Sequence, residues 1–326
     1  MRNSNRKKTI KRGKPNIAKT RKIKRNHKSM SGGDPEIAGA KDTIKYKKLQ
    51  CSPDPEKKKS FSCFSNEDLL KLKQRWNETH PERIIKTNEP KDIWILLKTF
   101  LAKTCDKETC WLEQGFVSKK DSKELMESFA PESPEEWKKN PNEWLSSEDI
   151  INVMRQYEKA YKCFEFLGPS PIDYDARKLY GECVWDEICK LNLAEQIKSG
   201  KTKIGLIFNT DPHDKPGEHW ISMFINIKKG LIYFFDSAGD RIPARLNKLV
   251  RNIMHQGKKL SHPIRFKFDQ NHPVEHQYGN TECGIYSLYF VIHMLEDKFT
   301  GEYLKTHIIT DKYVNKFRKI YFNEDL

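Results

Sequence analysis

The stretch Gln277-Tyr278-Gly279-Asn280-Thr281-Glu282-Cys283-Gly284 runs straight into Ile285-Tyr286-Ser287-Leu288-Tyr289-Phe290-Val291-Ile292. A polar loop giving way to an apolar run predicts a buried helix that begins beside Cys283, with Asn280 or Thr281 as its cap. A thiol in the first turn faces free backbone N–H groups and the positive end of the helix dipole, both of which favour an anion. That help matters, because an unperturbed thiol with a pKa of about 8.5 is only slightly ionised at neutral pH. Gly284 is expected to leave room beside the sulfur for a substrate backbone. The plainer alternative is a structural cysteine buried in a core.

Upstream of this stretch, three residues supply what a nucleophilic thiol needs. His219 lies in Gly217-Glu218-His219-Trp220, at the junction of a polar turn and a strand, where a base is both held and accessible. His213, His272 and His276 compete for the role, and spacing alone does not choose among them. Asp236 ends the next apolar run, Leu231 to Phe235, so a hairpin would return it to His219 and let it fix the imidazole tautomer. Asp236-Ser237-Ala238-Gly239 also reads as an ordinary turn. Gln277, six residues before Cys283, could turn its amide toward the sulfur and form an oxyanion hole with the Cys283 N–H, or be an exposed glutamine with no role. Together Cys283, His219, Asp236 and Gln277 are the parts of a cysteine peptidase, and this chemistry needs no metal or other cofactor.

Further out, the period of the apolar residues changes along the chain. Ser65 before Leu69, Leu72 and Trp76, and Asp92 before Ile93, Leu96 and Leu97, predict helices. Ser146 with Asp149 forms a capping-box pattern ahead of Ile150, Val153, Met154, Tyr157, Tyr161 and Phe164, a long amphipathic helix that Gly168-Pro169-Ser170-Pro171 ends. Another helix is expected from Cys183 to Ile197. After Gly200 short apolar runs predict strands at 204–208, 220–227, 231–235 and 264–268, with Lys228-Lys229-Gly230 as a hairpin connection and a helix at 244–254. The expected fold is α+β, a central mixed sheet flanked by helices. Three parts are expected: a basic arm and linker at 1–60, a helical domain at 61–200 and a catalytic core at 201–326.

The charge is concentrated in the arm. The 326 residues carry a net +15, and residues 1–33 hold 13 Lys or Arg with no Asp or Glu. Too few large apolar residues occur there to form a core, so the arm is expected to be disordered when unbound and suited to nucleic acid, nuclear import or retention in a nucleoprotein particle. The eight cysteines, Cys51, Cys63, Cys105, Cys110, Cys163, Cys183, Cys189 and Cys283, are expected to be free thiols. Their spacings lack a paired zinc motif. The apolar stretch from Ile285 to Leu295 is far shorter than the roughly 20 residues that cross a bilayer, so no membrane insertion is expected.

The order His219, Asp236, Gln277, Cys283, with Thr281-Glu282-Cys283-Gly284 at its centre, resembles the Ulp-type cysteine peptidases. That clan holds SUMO-specific proteases, adenain and the polyprotein proteases of large DNA viruses. The likeness is nearest to the viral branch of the African swine fever virus type, and it extends to Cys105 through Cys110 and to Ile309-Thr310-Asp311 and Phe317-Arg318.

The resemblance implies an Ulp/adenain-like core in which Trp220 packs over the histidine and narrows the substrate channel. It implies an endopeptidase that cuts structural polyproteins after Gly-Gly or Gly-X during virion maturation, in the virion and the host cytoplasm, with the nucleus as another destination. A deSUMOylase or deubiquitinase, and a catalytically silent adaptor between capsid and nucleic acid, are the alternatives. Met30-Ser31-Gly32-Gly33-Asp34 fits the implied preference, so self-cleavage between Gly33 and Asp34 would shed the arm. A flexible diglycine linker is the other reading of that segment.

Overall fold

A five-stranded mixed sheet lies between two helical layers. The computed structural model describes residues 45–56 and 61–324. The basic arm, the Gly33–Asp34 bond and the Lys57-Lys58-Lys59 run lie outside the described residues. The strands are β1 Phe164–Pro171, β2 Lys203–Asn209, β3 Trp220–Asn226, β4 Leu231–Phe235 and β5 Lys267–Gln270, arranged side by side in chain order. β1 and β2 are parallel, β2–β3–β4 are antiparallel, and β4 and β5 are parallel.

Among the described residues, the helices of eight residues or more are α1 Asn66–Thr79, α2 Pro90–Leu101, α3 Lys119–Met126, α4 Ser147–Ala160, α5 Ala244–Lys259 and α6 Cys283–Leu295. The capping box of Ser146 with Asp149 opens α4 as expected, and the expected cap Ser65 opens α1 by forming a box with Asp68. Each box satisfies backbone donors that have no partner inside the helix.

The two-residue period of the strands sorts side chains between the layers. Along β3, Trp220 and Phe224 join a cluster with α4 and α6, while Ile221, Met223 and Ile225 join one with α5. β4 divides likewise, Tyr233 and Phe235 against Ile232 and Phe234. All residues of α6 are buried, and each large apolar side chain hidden this way contributes roughly 1.5–3 kcal/mol. The helix lies so close to the sheet that a Cβ on Gly205 would sit 2.6 Å from Val291 Cγ1.

Several boundaries differ from expectation. α4 stops at Ala160, and Phe164 opens β1 instead of closing the helix. The Gly168-Pro169-Ser170-Pro171 run lies inside β1, where the register shifts between Leu167 and Ser170. Proline is tolerated there because β1 is an edge strand. The helix expected over 183–197 is two short ones, Asp186–Cys189 and Leu193–Lys198, the second capped by Asn192. β5 starts at Lys267, with Ile264 and Phe266 packed against the α5 layer before it.

The expected boundary at 200/201 cuts through the core, because α4 and β1 precede it and pack with α6 and β2. A separate apolar cluster runs from Leu49 to Phe129 around α1 and α2, so the folded chain starts before Phe61. Asn323 ties that region to the C-terminus, donating to the carbonyls of Gln50 and Ala130 at 2.8 and 2.9 Å. The described residues fall in one compact unit. The free-thiol expectation is corrected as well: Cys51–Cys63, Cys105–Cys110 and Cys183–Cys189 are disulfides, each closing a short loop, while Cys163 and Cys283 are free. Among the described residues, no helix is long and apolar enough to cross a membrane.

Candidate active site

Antiparallel pairing of β3 with β4 places Ser222 opposite Phe235. His219 immediately precedes β3 and Asp236 immediately follows β4, so both stand at one end of adjacent strands. His219 Nε2 lies 2.7 Å from Asp236 Oδ1. The histidine backbone is fixed by Thr210, whose N–H donates to the His219 carbonyl at 2.8 Å. Asp236 is held more tightly. Its N–H donates to Asn271 Oδ1 at 3.0 Å, Asn271 Nδ2 donates to its carbonyl at 2.7 Å, and the Ala238 N–H donates to Oδ1 at 2.9 Å.

Cys283 is the first residue of α6, and its thiol is near enough to His219 to act on the charge of the imidazole. With Nε2 engaged by Asp236, Nδ1 is the ring nitrogen left for the sulfur. Burial opposes charge on His219, but the hydrogen bonds and charges of Asp236 and Cys283 outweigh it and push the imidazole from 6.5 up to about 10. A charged imidazolium at His219 is the state this favours.

The capping residue differs from the expected Asn280 or Thr281. Glu282 precedes the helix with helical backbone angles, φ −97° and ψ −7°, and makes no side-chain cap. Its carboxylate instead accepts from Thr281 Oγ1 at 2.7 Å and Asn315 Nδ2 at 3.0 Å. Burial works against the Glu282 charge, yet these bonds hold its carboxyl below the ordinary range. The Cys283 N–H, at the first helical position, therefore keeps no intrahelical acceptor.

Gln277 is oriented by Ser237. The Ser237 hydroxyl donates to Gln277 Oε1 at 2.7 Å, and the Ser237 carbonyl accepts from the N–H groups of His276 and Gln277 at 2.8 and 2.9 Å. Because the amide oxygen is engaged by a donor, Nε2 is assigned to the other side. One of its protons reaches the Gly279 carbonyl at 3.0 Å, and the second remains to be donated.

Trp220 and Gly284 meet through one residue. Trp220 Nε1 donates to the Leu145 carbonyl at 3.0 Å, and a Cβ on Gly284 would lie 2.9 Å from Leu145 Cβ. The space expected for substrate beside Gly284 is filled by Leu145, so this glycine is a packing requirement. Trp220 does border a cleft: an opening of about 680 Å³ is lined by Trp144, Leu145, Pro169, Asn209, His213 and Trp220.

Geometry also decides among the histidines. His213 pairs with Asp173 at 2.6 Å, His272 sits between Gly239 and Arg241, and His276 is buried under Phe235 with its basicity lowered by burial. Among the described residues, no cluster of His, Cys, Asp and Glu could hold a metal ion. Ser237 and Asn271 had no signal in the sequence that marked them as supports, beyond the position of Ser237 next to Asp236, whereas Arg318 lies in the Phe317-Arg318 segment that the resemblance reaches.

Residues 195–326 match the Ulp1 protease family, C-terminal catalytic domain. The chain is a cysteine protease with a Ulp1-type domain over this segment. The protease is 28% identical over 293 residues to a chain assigned as a thiol protease in Acanthamoeba polyphaga mimivirus, covering 83% of this chain and 92% of that one. It is 26% identical over 245 residues to a cysteine protease of African swine fever virus, covering 68% and 86%, and the counterpart from another isolate is named a SUMO-1 cysteine protease. The crystal structure of the African swine fever virus protease superposes with a TM-score of 0.60 at 21% identity, over 86% of this chain and 97% of that one. This likeness bears on the fold, and at 86% of the chain it reaches beyond the matched catalytic segment.

Proposed function

We propose that the protease cleaves structural polyproteins after Gly-Gly or Gly-X during virion maturation, with Cys283 as nucleophile, His219 as acid and base, Asp236 as its orienting group and Gln277 as oxyanion donor. The observation that carries this reading is that His219 Nε2 lies 2.7 Å from Asp236 Oδ1 while Cys283 acts on the same imidazole. The thiolate attacks the scissile carbonyl, and the oxyanion is met by Gln277 Nε2 and the Cys283 N–H. The imidazolium gives its proton to the departing amine, leaving a thioester. Neutral His219 then takes a proton from water, whose hydroxide releases the acid and restores the thiol pair.

The glycine preference rests on the resemblance; the cleft beside Trp220, the residue next to His219, is where an extended substrate would lie. Incubating the full chain with Gly-Gly peptides, including Met-Ser-Gly-Gly followed by a fluorogenic amine, tests this against Cys283→Ala and His219→Ala. Release of the amine by the wild type alone supports the reading, and no release from any diglycine peptide contradicts it. The name borne by one relative favours a second reading, a deSUMOylase. Rapid labelling of Cys283 by a SUMO vinyl sulfone, without cleavage of polyprotein sites, would select it.

Virion, host cytoplasm and nucleus are the places this function and the basic arm suit. Nucleic acid is the proposed partner of the arm, through counterion release, and self-cleavage after Gly33 would remove it. Salt-dependent binding that survives deletion of residues 1–33 contradicts the first proposal. An intact N-terminus in active protein, alongside Cys283→Ala, contradicts the second.

A further inference from the structure

The segment between Gln277 and Cys283 must be rigid, because it carries the amide donor at one end and the nucleophile at the other. Ser237 fixes its start and α6 fixes its finish. Its middle is held from elsewhere, by the helical run 311–321 near the C-terminus.

Asp311 Oδ2 accepts from the N–H groups of Tyr278 and Gly279 at 3.0 and 2.9 Å. Asn315 Nδ2 donates to Glu282 Oε1 at 3.0 Å, and the same carboxylate gathers Thr281. Arg318 Nη2 donates to the Thr281 carbonyl at 3.1 Å. Positions 311, 315 and 318 follow helical spacing and so share one face. That face is turned inward, with Val314, Arg318 and Tyr321 buried while Lys312, Tyr313, Lys316 and Lys319 are exposed.

The face is itself fixed. Tyr286, one turn into α6, donates its hydroxyl toward Asp311 Oδ1 at 2.9 Å and lies 2.7 Å from the Ile309 carbonyl. Arg318 Nη1 reaches the Glu143 carbonyl at 2.7 Å, and the guanidinium lies 4.5 Å from the Trp137 ring centre. A carboxylate taking two consecutive backbone N–H groups sets the direction of the two peptide planes that follow Gln277, which lead into the Gly279 carbonyl to which Nε2 of Gln277 donates.

We propose that the helical run 311–321 is a clamp on the nucleophile loop, in which Asp311, Asn315 and Arg318 are positioning residues that hold the oxyanion donors in register with Cys283. The proposal rests on the peptidase reading above. It predicts a division of effects, because the clamp touches the loop but not His219 or Asp236. Losing it misplaces the oxyanion donors and leaves the thiolate–imidazolium pair in place.

The test uses the full chain with Asp311→Ala, Asp311→Glu, Asn315→Ala and Arg318→Lys. Three quantities are read: kcat and KM on Met-Ser-Gly-Gly with a fluorogenic leaving group, the pH profile of Cys283 alkylation by iodoacetamide, and the thermal midpoint. Displaced donors should lower kcat about 10- to 100-fold in Asp311→Ala, with KM within about twofold and the alkylation profile unchanged. Asp311→Glu should recover part of kcat. Asn315→Ala, which deletes the bond to Glu282 and the one accepted from Arg318 Nε, should show the same division at smaller amplitude in a chain that folds even where Asp311→Ala does not. Unchanged kcat in Asn315→Ala and Arg318→Lys overturns the clamp, as does loss of alkylation in step with kcat. A wild-type chain whose Cys283 alkylates no faster than that of His219→Ala overturns the peptidase reading itself, an outcome distinct from either.

Discussion

His219 and Asp236 are brought within 2.7 Å by the pairing of β3 with β4, although seventeen residues separate them. The carboxylate does more than orient the ring, since with Cys283 it overcomes the burial that would otherwise expel the charge. Asp236→Asn keeps the shape and loses the charge. Steady-state kinetics should show kcat lower by about 100-fold, and the alkaline limb of the profile should move down in pH.

The same shift links folding to pH. A folded-state value of about 10 against an ordinary 6.5 makes His219 stabilising wherever it is protonated in the folded chain. The contribution is complete below pH 6.5 and disappears as pH rises through 10. Urea unfolding of wild type and Asp236→Asn should therefore show a wild-type advantage near pH 6 that shrinks by pH 10. An advantage that grows with pH contradicts the assignment.

Asn271 braces Asp236 from both backbone sides and also donates to the Val274 carbonyl at 2.8 Å. It is fully buried, so Asn271→Ala strands a buried N–H and carbonyls and should cost about 2–4 kcal/mol by chemical denaturation. Asn271→Asp should retain the bond from the Asp236 N–H and lose those to the carbonyls.

Ser237 tests the oxyanion arrangement without touching the reacting atoms. Ser237→Ala frees the Gln277 amide to turn over, and kcat should fall by about 10-fold with Cys283 alkylation unaltered. Gln277→Ala removes the donor and should cost about 100- to 1,000-fold in kcat.

Close packing predicts the outcome at two glycines. Gly284→Ala drives a methyl into Leu145, and Gly205→Ala drives one into Val291 and Phe164. Each should destabilise by about 1–3 kcal/mol in thermal or urea unfolding. Gly284→Ala should lose more activity than stability alone explains, because Leu145 also carries the carbonyl that holds Trp220.

Local signals in the sequence were reliable guides where local forces decide the outcome. The capping boxes at Ser65 and Ser146 and the β3–β4 hairpin around Lys228-Lys229-Gly230 depend on residues a few positions apart. So does the start of α6 at Cys283, although its preceding residue proved to be Glu282 with no side-chain cap. β1 escaped because Gly168-Pro169-Ser170-Pro171 reads as a terminator, and only the edge position of the strand makes it acceptable. The disulfides and the supports Asn271, Ser237 and Arg318 are ordinary polar or sulfur-bearing residues until the fold brings their partners to them. Gly284 was read for the space it leaves, whereas Leu145, 139 positions upstream, fills that space.

The pairing of Cys283 with His219 is tested most directly by the rate of iodoacetamide alkylation at Cys283, followed by mass spectrometry from pH 5 to pH 10 in wild type and His219→Ala. The paired thiolate predicts fast alkylation in the wild type already at pH 6, and in His219→Ala a rate that climbs only as an ordinary thiol ionises near about pH 8.5. Superimposable profiles, both rising late, would contradict it.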